Sequence, residues 1–120
     1  MQDKITKADV LADPNNSDNL YMYMAQNNDP IFNYNKALEE CVEFMEVIIK
    51  LQTKSKTNPK RPKASEAVGE FGDMVLRGVV ALMTLFPEDE EIAEKIEDHI
   101  SKKTQKLLGW LEKGTYVNGL

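Results

Sequence analysis

Three carboxylates interrupt an apolar stretch in the first half of the chain. Glu39, Glu40 and Glu43 lie among leucine, cysteine, valine, phenylalanine and methionine residues. A second acidic pair, Glu70 and Asp73, lies in another largely apolar stretch. Burial of an ionised carboxylate is unfavourable by several kcal/mol unless a positive charge compensates it. Acids on two apolar segments therefore predict a bound divalent cation.

Glu40 and Glu43 form one pair with a spacing of three, and Glu70 and Asp73 form the other. This spacing places both carboxylates of a pair on one side of a helix. Residues three apart are separated by about 4.5 Å along a helix axis and about 60° around it. Antiparallel neighbours pack with their axes roughly 8–10 Å apart, so the two pairs would face a common space. Oxygen ligands without a His or Cys cluster favour Mg²⁺, or Mn²⁺, over zinc. We expect metal-assisted attack of water on a phosphate, with Glu39 holding a water or a second metal ion, or acting as a base.

A third acidic group provides an internal control for this interpretation. Glu91, Glu94 and Glu97 have the same spacing, but they share their segment with Lys95, Asp98 and a single isoleucine stripe. This charge pattern is typical of a solvated helix face. Spacing alone therefore does not predict a metal site, and the apolar surroundings of the first two groups do.

Apolar residues recur with a helical period in three long segments. The pattern predicts helices from about Ile31 to Lys54, from about Ser65 to Phe86, and from Pro87 to Gly114. The first of these is apolar on nearly all sides, which predicts burial between subunits. Residues 55–63 form a loop with two prolines, either a solvated connector or a flexible basic lid for phosphates.

These elements predict an all-α fold, a small antiparallel helical bundle that is completed by oligomerisation. Residues 1–30 are expected to form an N-terminal arm with a short helix. Residues 31–114 form the helical domain, and residues 115–120 form a C-terminal tail. A length of 120 residues and a hydrophobic content of 42% fit one small domain.

Composition restricts the location and the partners. The net charge of -5 argues against nucleic acid as the main partner, because no basic face dominates. Cys41 is the only cysteine, so no intramolecular disulfide forms. No apolar run approaches a membrane span, and the N-terminus lacks the apolar core of a signal peptide. A cytoplasmic protein without a membrane partner is expected.

The acidic residues resemble a known motif. Glu39-Glu40-x-x-Glu43, followed after about 26 residues by Glu70-x-x-Asp73, is similar to the motif of the MazG-like all-α nucleotide pyrophosphohydrolases. This superfamily includes dimeric dUTPases, dCTP pyrophosphatases and phosphoribosyl-ATP pyrophosphatases. The resemblance covers roughly residues 35–81.

The resemblance implies a specific activity. It implies cleavage of a nucleoside triphosphate between the α- and β-phosphates, giving the monophosphate and pyrophosphate. It also implies assembly into homodimers or homotetramers. The implied Mg²⁺ ligands are Glu40, Glu43, Glu70 and Asp73. Glu39 is implied to assist catalysis together with Glu40 and Glu43.

Two departures and one alternative accompany the resemblance. Gly69 stands where the family usually has the first of two acids, and no base-recognition residue is matched. Lys50, Lys54 and Arg77 are candidates for phosphate contacts from their position, with plain surface roles as the alternative. The alternative function is a non-catalytic binding or assembly protein that retains the MazG-like bundle.

Overall fold

The computed structural model of the chain describes residues 4–114, which contain five helices and no strand. The prediction of an all-α fold is confirmed, and the predicted tail at residues 115–120 lies outside the described residues. The helices are α1 (Lys7–Ala12), α2 (Ser17–Asn27), α3 (Pro30–Thr53), α4 (Ala64–Leu85) and α5 (Ile92–Glu112). The chain divides into two units, residues 1–90 and residues 91–120. None of the helices described is long and apolar enough to cross a membrane.

The start of α3 follows from the local sequence. Asp29 is the N-cap, and its side chain accepts a hydrogen bond of 2.8 Å from the backbone N–H of Ile31. Pro30 occupies the first helical position, where its missing N–H costs no intrahelical hydrogen bond. The cap and the proline together fix where the chain turns into the long helix.

α3 and α4 form an antiparallel hairpin. Asn33, near the start of α3, bonds Thr84 near the end of α4, whereas Phe44 contacts Phe71 further along. The connection contains two successive hydrogen-bonded turns, in which the N–H groups of Asn58 and Arg61 bond the carbonyls three residues earlier. This pairing makes α3 and α4 neighbours over their length.

One buried amide ties three helices together. Asn33 is 1% exposed, and its Nδ2 donates to the carbonyl of Met24 in α2 at 3.3 Å and to Oγ1 of Thr84 in α4 at 3.0 Å. Its Oδ1 accepts from Nδ2 of Asn28 at 3.1 Å. Val80, one turn before Thr84, is fully buried. This polar junction sets how α2, α3 and α4 meet at one end of the hairpin.

Two features of the helix pattern differ from the sequence expectation. The predicted helix start at Pro87 is wrong, because residues 87–91 form turns and α5 begins at Ile92. The N–H of Asp89 bonds the carbonyl of Phe86 at 3.1 Å, which closes a turn at Pro87 in place of a helical start. The additional helix α1 has a capping box between Thr6 and Asp9, which stabilises a helix too short to be predicted from periodicity.

Candidate metal centre

The hairpin brings the two acidic pairs together. One carboxylate oxygen each from Glu40, Glu70 and Asp73 lie within 4.8 Å of one another. Oxygens of Glu39, Glu40 and Glu43 form a second such group. Glu40 belongs to both groups, so α3 supplies the centre of the cluster and α4 closes it. These five side chains are called the acid cluster below.

Burial differs sharply within the acid cluster. Glu40 is only 8% exposed, Glu43 and Glu70 are half-buried, and Glu39 and Asp73 are exposed. Within residues 4–114, Oε2 of Glu40 and Oε2 of Glu70 are buried without a hydrogen-bond partner. A buried carboxylate oxygen without a hydrogen bond is costly, so both atoms are suitable ligands for a cation.

The environment disfavours ionisation of the central glutamates. Burial raises the pKa of Glu40 most, and the charges of Glu43 and Asp73, with a hydrogen bond to Glu43, raise it further. Burial also raises the pKa of Glu43, followed by its hydrogen bond to Glu70 and the charge of that residue. Burial and mutual repulsion therefore favour the protonated forms of Glu40 and Glu43.

Lys36 is a member of the site that the motif does not indicate. Its Nζ lies 3.4 Å from Oε2 of Glu39, and its charge lowers the pKa of Glu40. The sequence signal is its position, three residues before Glu39 and four before Glu40, on the adjoining helical turn. One ammonium group does not balance five carboxylates, so the cluster keeps an excess of negative charge.

The donor set fits a hard divalent cation. All ligand atoms are carboxylate oxygens, and two of them are buried and without hydrogen bonds in the part of the chain described. Mg²⁺ is usually held by one or two carboxylates and keeps several waters for exchange with phosphate oxygens. Glu40, Glu70 and Asp73 are the residues that would hold such an ion, with Glu43 adjoining them.

Aromatic packing supports the hairpin beside the cluster. Phe44 and Phe71 each follow a cluster glutamate in sequence, and their ring centroids are 5.3 Å apart. A tilted aromatic pair of this kind stabilises the contact between α3 and α4. At Gly69, a side chain would meet no atom within 4 Å in the described chain. The glycine is therefore not required there by packing.

The phosphate candidates occupy different positions along the hairpin. Arg77 is half-buried and lies one turn beyond Asp73, about 6 Å along α4. Lys50 and Lys54 lie about 10 Å and 16 Å beyond Glu43 along α3. Of the three, Arg77 is nearest to the acid cluster along its helix.

The control acids differ from the cluster in their surroundings. Glu94 and Glu97 are exposed on α5, and among the described residues neither belongs to a group able to hold a metal ion. These acids on α5 are therefore exposed and apart, as expected from their polar surroundings, whereas the acids of the cluster converge and are partly buried.

No protein-family model, curated protein or solved structure matches the chain. The residues of the acidic motif alone carry the resemblance, and the acid cluster is the feature of the structure that points to a function.

Proposed function

We propose that the chain is a Mg²⁺-dependent nucleoside triphosphate pyrophosphohydrolase with a MazG-like bundle, converting a (d)NTP and water to a (d)NMP and pyrophosphate. The observation that carries the proposal is Glu40, a carboxylate that is more than nine-tenths buried and has an unpartnered Oε2. Four more carboxylates from two helices surround it. Such a site is unfavourable without a cation and well suited to one.

The protein residues have separate roles in this proposal. Glu40, Glu70 and Asp73, with Glu43 beside them, would hold Mg²⁺, and Mn²⁺ would be the substitute. A bound ion would supply charge neutralisation at phosphate oxygens and a lowered pKa of coordinated water. Glu39 is exposed at the edge of the cluster, where it would orient the attacking water or accept its proton. The water oxygen bonds the α-phosphorus, and the bond to the bridging oxygen of pyrophosphate breaks.

Lys36 would act on this reaction through Glu39. The ammonium group lies 3.4 Å from Oε2 of Glu39 and would hold that carboxylate in position at the edge of the cluster. Arg77, Lys50 and Lys54 would contact the phosphates, Arg77 closest to the metal. These roles are inferred from position and charge, and each can be tested by substitution of the residue.

We also propose that the hairpin is completed by a second copy of the chain, as a homodimer or a homotetramer. Leu38, Val42, Met45 and Ile49 form one stripe along α3, and more than half of the accessible surface of each is exposed. By helix geometry this outer stripe lies opposite Glu40 and Glu43. An exposed aliphatic stripe of this length is typical of a protein interface.

Pyrophosphate release measured over canonical and damaged nucleotides, with Mg²⁺ or Mn²⁺, tests the activity. We expect at least one nucleotide to be hydrolysed, and Glu40→Gln or Asp73→Asn to abolish hydrolysis while the helical circular dichroism signal is retained. Glu94→Gln with Glu97→Gln is the matched control and should leave the rate unchanged. Absence of hydrolysis across the full panel would refute the proposal.

One observation favours the alternative of a non-catalytic assembly protein. Burial and the neighbouring acids raise the pKa values of Glu40 and Glu43, which favours neutral carboxyls that need no metal ion. In that case Mg²⁺ would leave the melting temperature unchanged, and Glu40→Gln would maintain or raise it. For a metal site, saturation to about 100 times Kd adds roughly 2.7 kcal/mol of stability, and Glu40→Gln removes the gain.

A further inference from the structure

The connection between α3 and α4 concentrates positive charge at one end of the hairpin. The segment from residue 47 to residue 65 contains six of the fifteen basic residues of the chain and none of the twenty acidic residues. We call these six residues the basic tip: Lys50, Lys54, Lys56, Lys60, Arg61 and Lys63. The negative net charge of the whole chain hides this segregation.

The charges of the basic tip are available to a ligand. Within residues 4–114, none of the six takes part in an ion pair. Lys50, Lys56, Lys60 and Lys63 are exposed, and the other two are half-buried. Asn58 holds the loop through its side chain, whose Oδ1 accepts from the N–H of Lys60 at 2.8 Å. The cations are therefore presented on successive hydrogen-bonded turns.

The acid cluster does not cancel this charge at physiological salt. Along the helices, the nearest members of the tip, Lys50 and Lys63, lie about 10 Å from Glu43 and Glu70, and the other tip residues lie farther away. The Debye length at physiological ionic strength is about 8 Å, so the carboxylates are largely screened at the basic tip. A ligand at the tip experiences the local positive field.

The side-chain types of the basic tip, and the length over which its cations are spread, indicate which kind of polyanion it can bind. The six cations extend from the last turns of α3 to the start of α4, which is farther than the phosphates of one nucleotide reach. Residues 54–63 include no aliphatic or aromatic side chain apart from two prolines, one of which, Pro62, is buried. A protein interface usually has an apolar anchor at its centre, and stable membrane attachment needs an apolar or second signal. Ser55, Thr57 and Asn58 instead add hydrogen-bond donors of the kind that contact phosphate oxygens.

We propose that the basic tip binds the phosphodiester backbone of nucleic acid without sequence preference. The proposal does not depend on the hydrolase activity, because no role in hydrolysis is assigned to the basic residues at 56–63. Lys50 and Lys54 are the only members of the tip that are also phosphate candidates of the metal site. Binding of this kind releases counterions, so its affinity falls steeply with salt.

Fluorescence anisotropy of a labelled mixed-sequence oligonucleotide of about 20 nucleotides, single-stranded and as a duplex, tests the proposal in EDTA. For about five phosphate contacts with the single strand, we expect affinity to fall about a hundredfold between roughly 50 and 200 mM KCl. The variant K56Q/K60Q/R61Q/K63Q should reduce the slope of log affinity against log salt by about 3 for the single strand. The variant K56R/K60R/K63R should bind like the unsubstituted protein, which separates charge from folding.

The matched control removes four positive charges from the second half of α5 and its C-cap. K102Q/K103Q/K106Q/K113Q should bind the oligonucleotide with the slope of the unsubstituted protein. An equal loss in this control would overturn the proposal, because the effect would then come from net charge. Absence of binding at about 50 mM KCl, or binding to phosphatidylserine vesicles without binding to oligonucleotides, would also overturn it. Loss of nucleotide hydrolysis in Glu40→Gln without loss of oligonucleotide binding would show that the two functions are separable.

Discussion

Glu40 concentrates the chemistry of the hairpin in one side chain. It is the most buried acid of the cluster, it belongs to both groups of convergent oxygens, and its Oε2 has no hydrogen-bond partner in residues 4–114. A glutamate in these surroundings is stabilised either by a proton or by a cation.

The raised pKa values of Glu40 and Glu43 predict a pH dependence of stability in the metal-free protein. Both carboxyls bind protons more tightly in the folded state than in the unfolded state. Their stabilising contribution is complete below the unfolded pKa and is lost as the pH rises through the raised folded values. Urea unfolding in EDTA from about pH 4 to pH 8 should show this loss relative to the double variant Glu40→Gln, Glu43→Gln.

A control pair separates this effect from general charge repulsion. Glu94→Gln with Glu97→Gln removes the same number of carboxyls from an exposed face and should keep the pH profile of the unsubstituted protein. If the unsubstituted protein and the Glu40, Glu43 double variant change in parallel, the two carboxyls do not have raised pKa values.

Part of the site is predictable from sequence, for a geometric reason. The spacing of three fixes two carboxylates on one helix side, and a short connection makes the helices neighbours, so the grouping of the two pairs follows. The unpartnered oxygens of Glu40 and Glu70 do not follow, since burial depends on how closely α3 and α4 approach. The pairing of Lys36 with Glu39 requires a choice of side-chain rotamer that spacing does not specify.

At the scale of helices, Asn33 connects α3 to both α2 and α4. Its amide bonds the backbone of α2 and a side chain of α4 from a position that is almost completely buried. Removal of such a group leaves several buried polar atoms without partners. Each such atom costs about 1–3 kcal/mol.

We expect Asn33→Ala to lower the free energy of unfolding by about 2 kcal/mol or more. Chemical denaturation followed by circular dichroism measures the change. Asn35→Ala is the matched control, because Asn35 is exposed on the same helix and should change stability by less than about 0.5 kcal/mol. Equal effects of the two substitutions would show that the amide does not join the helices.

The helix boundaries show what periodicity predicts well. The expected first helix, Ile31 to Lys54, differs from α3 by a single residue at each end, because Asp29 and Pro30 specify its start. The start of α5 was less predictable, since Pro87 and the acids after it resemble a helical first turn but form turns outside the helix. Capping residues therefore predict a helix start best where the periodic apolar residues begin directly after the cap.

For the whole molecule, α3 is the helix with an unusual distribution, because its acidic face is directed toward α4 and an aliphatic stripe lies on its outer face. The acid cluster faces the space between α3 and α4, whereas the outer stripe of α3 is exposed. This is the reverse of the usual distribution in a monomer, and it is the reason to expect a second copy of the chain on the outer stripe.

Leu38→Glu with Met45→Glu should convert the assembly to a monomer. The two added charges would have to be buried in the apolar contact, which is unfavourable by several kcal/mol. Light scattering coupled to size-exclusion chromatography measures the mass. Ser101→Glu with Gln105→Glu adds the same charges to exposed positions of α5 and should leave the mass unchanged. A monomeric unsubstituted protein would contradict the proposed assembly.

The two faces of α3 also restrict how the length of this segment can vary. A one-residue insertion between Leu38 and Ile49 rotates everything after it by about 100° around the helix axis. Such an insertion would turn part of the aliphatic stripe toward the carboxylates and part of the acidic face away from α4. Insertion of seven residues rotates the faces by only about 20°. Seven residues also add about 10 Å of helix length, so a heptad inserted after Glu43 should be tolerated because the acids keep their register with α4. A heptad inserted before Glu43, or a single-residue insertion, should be rejected.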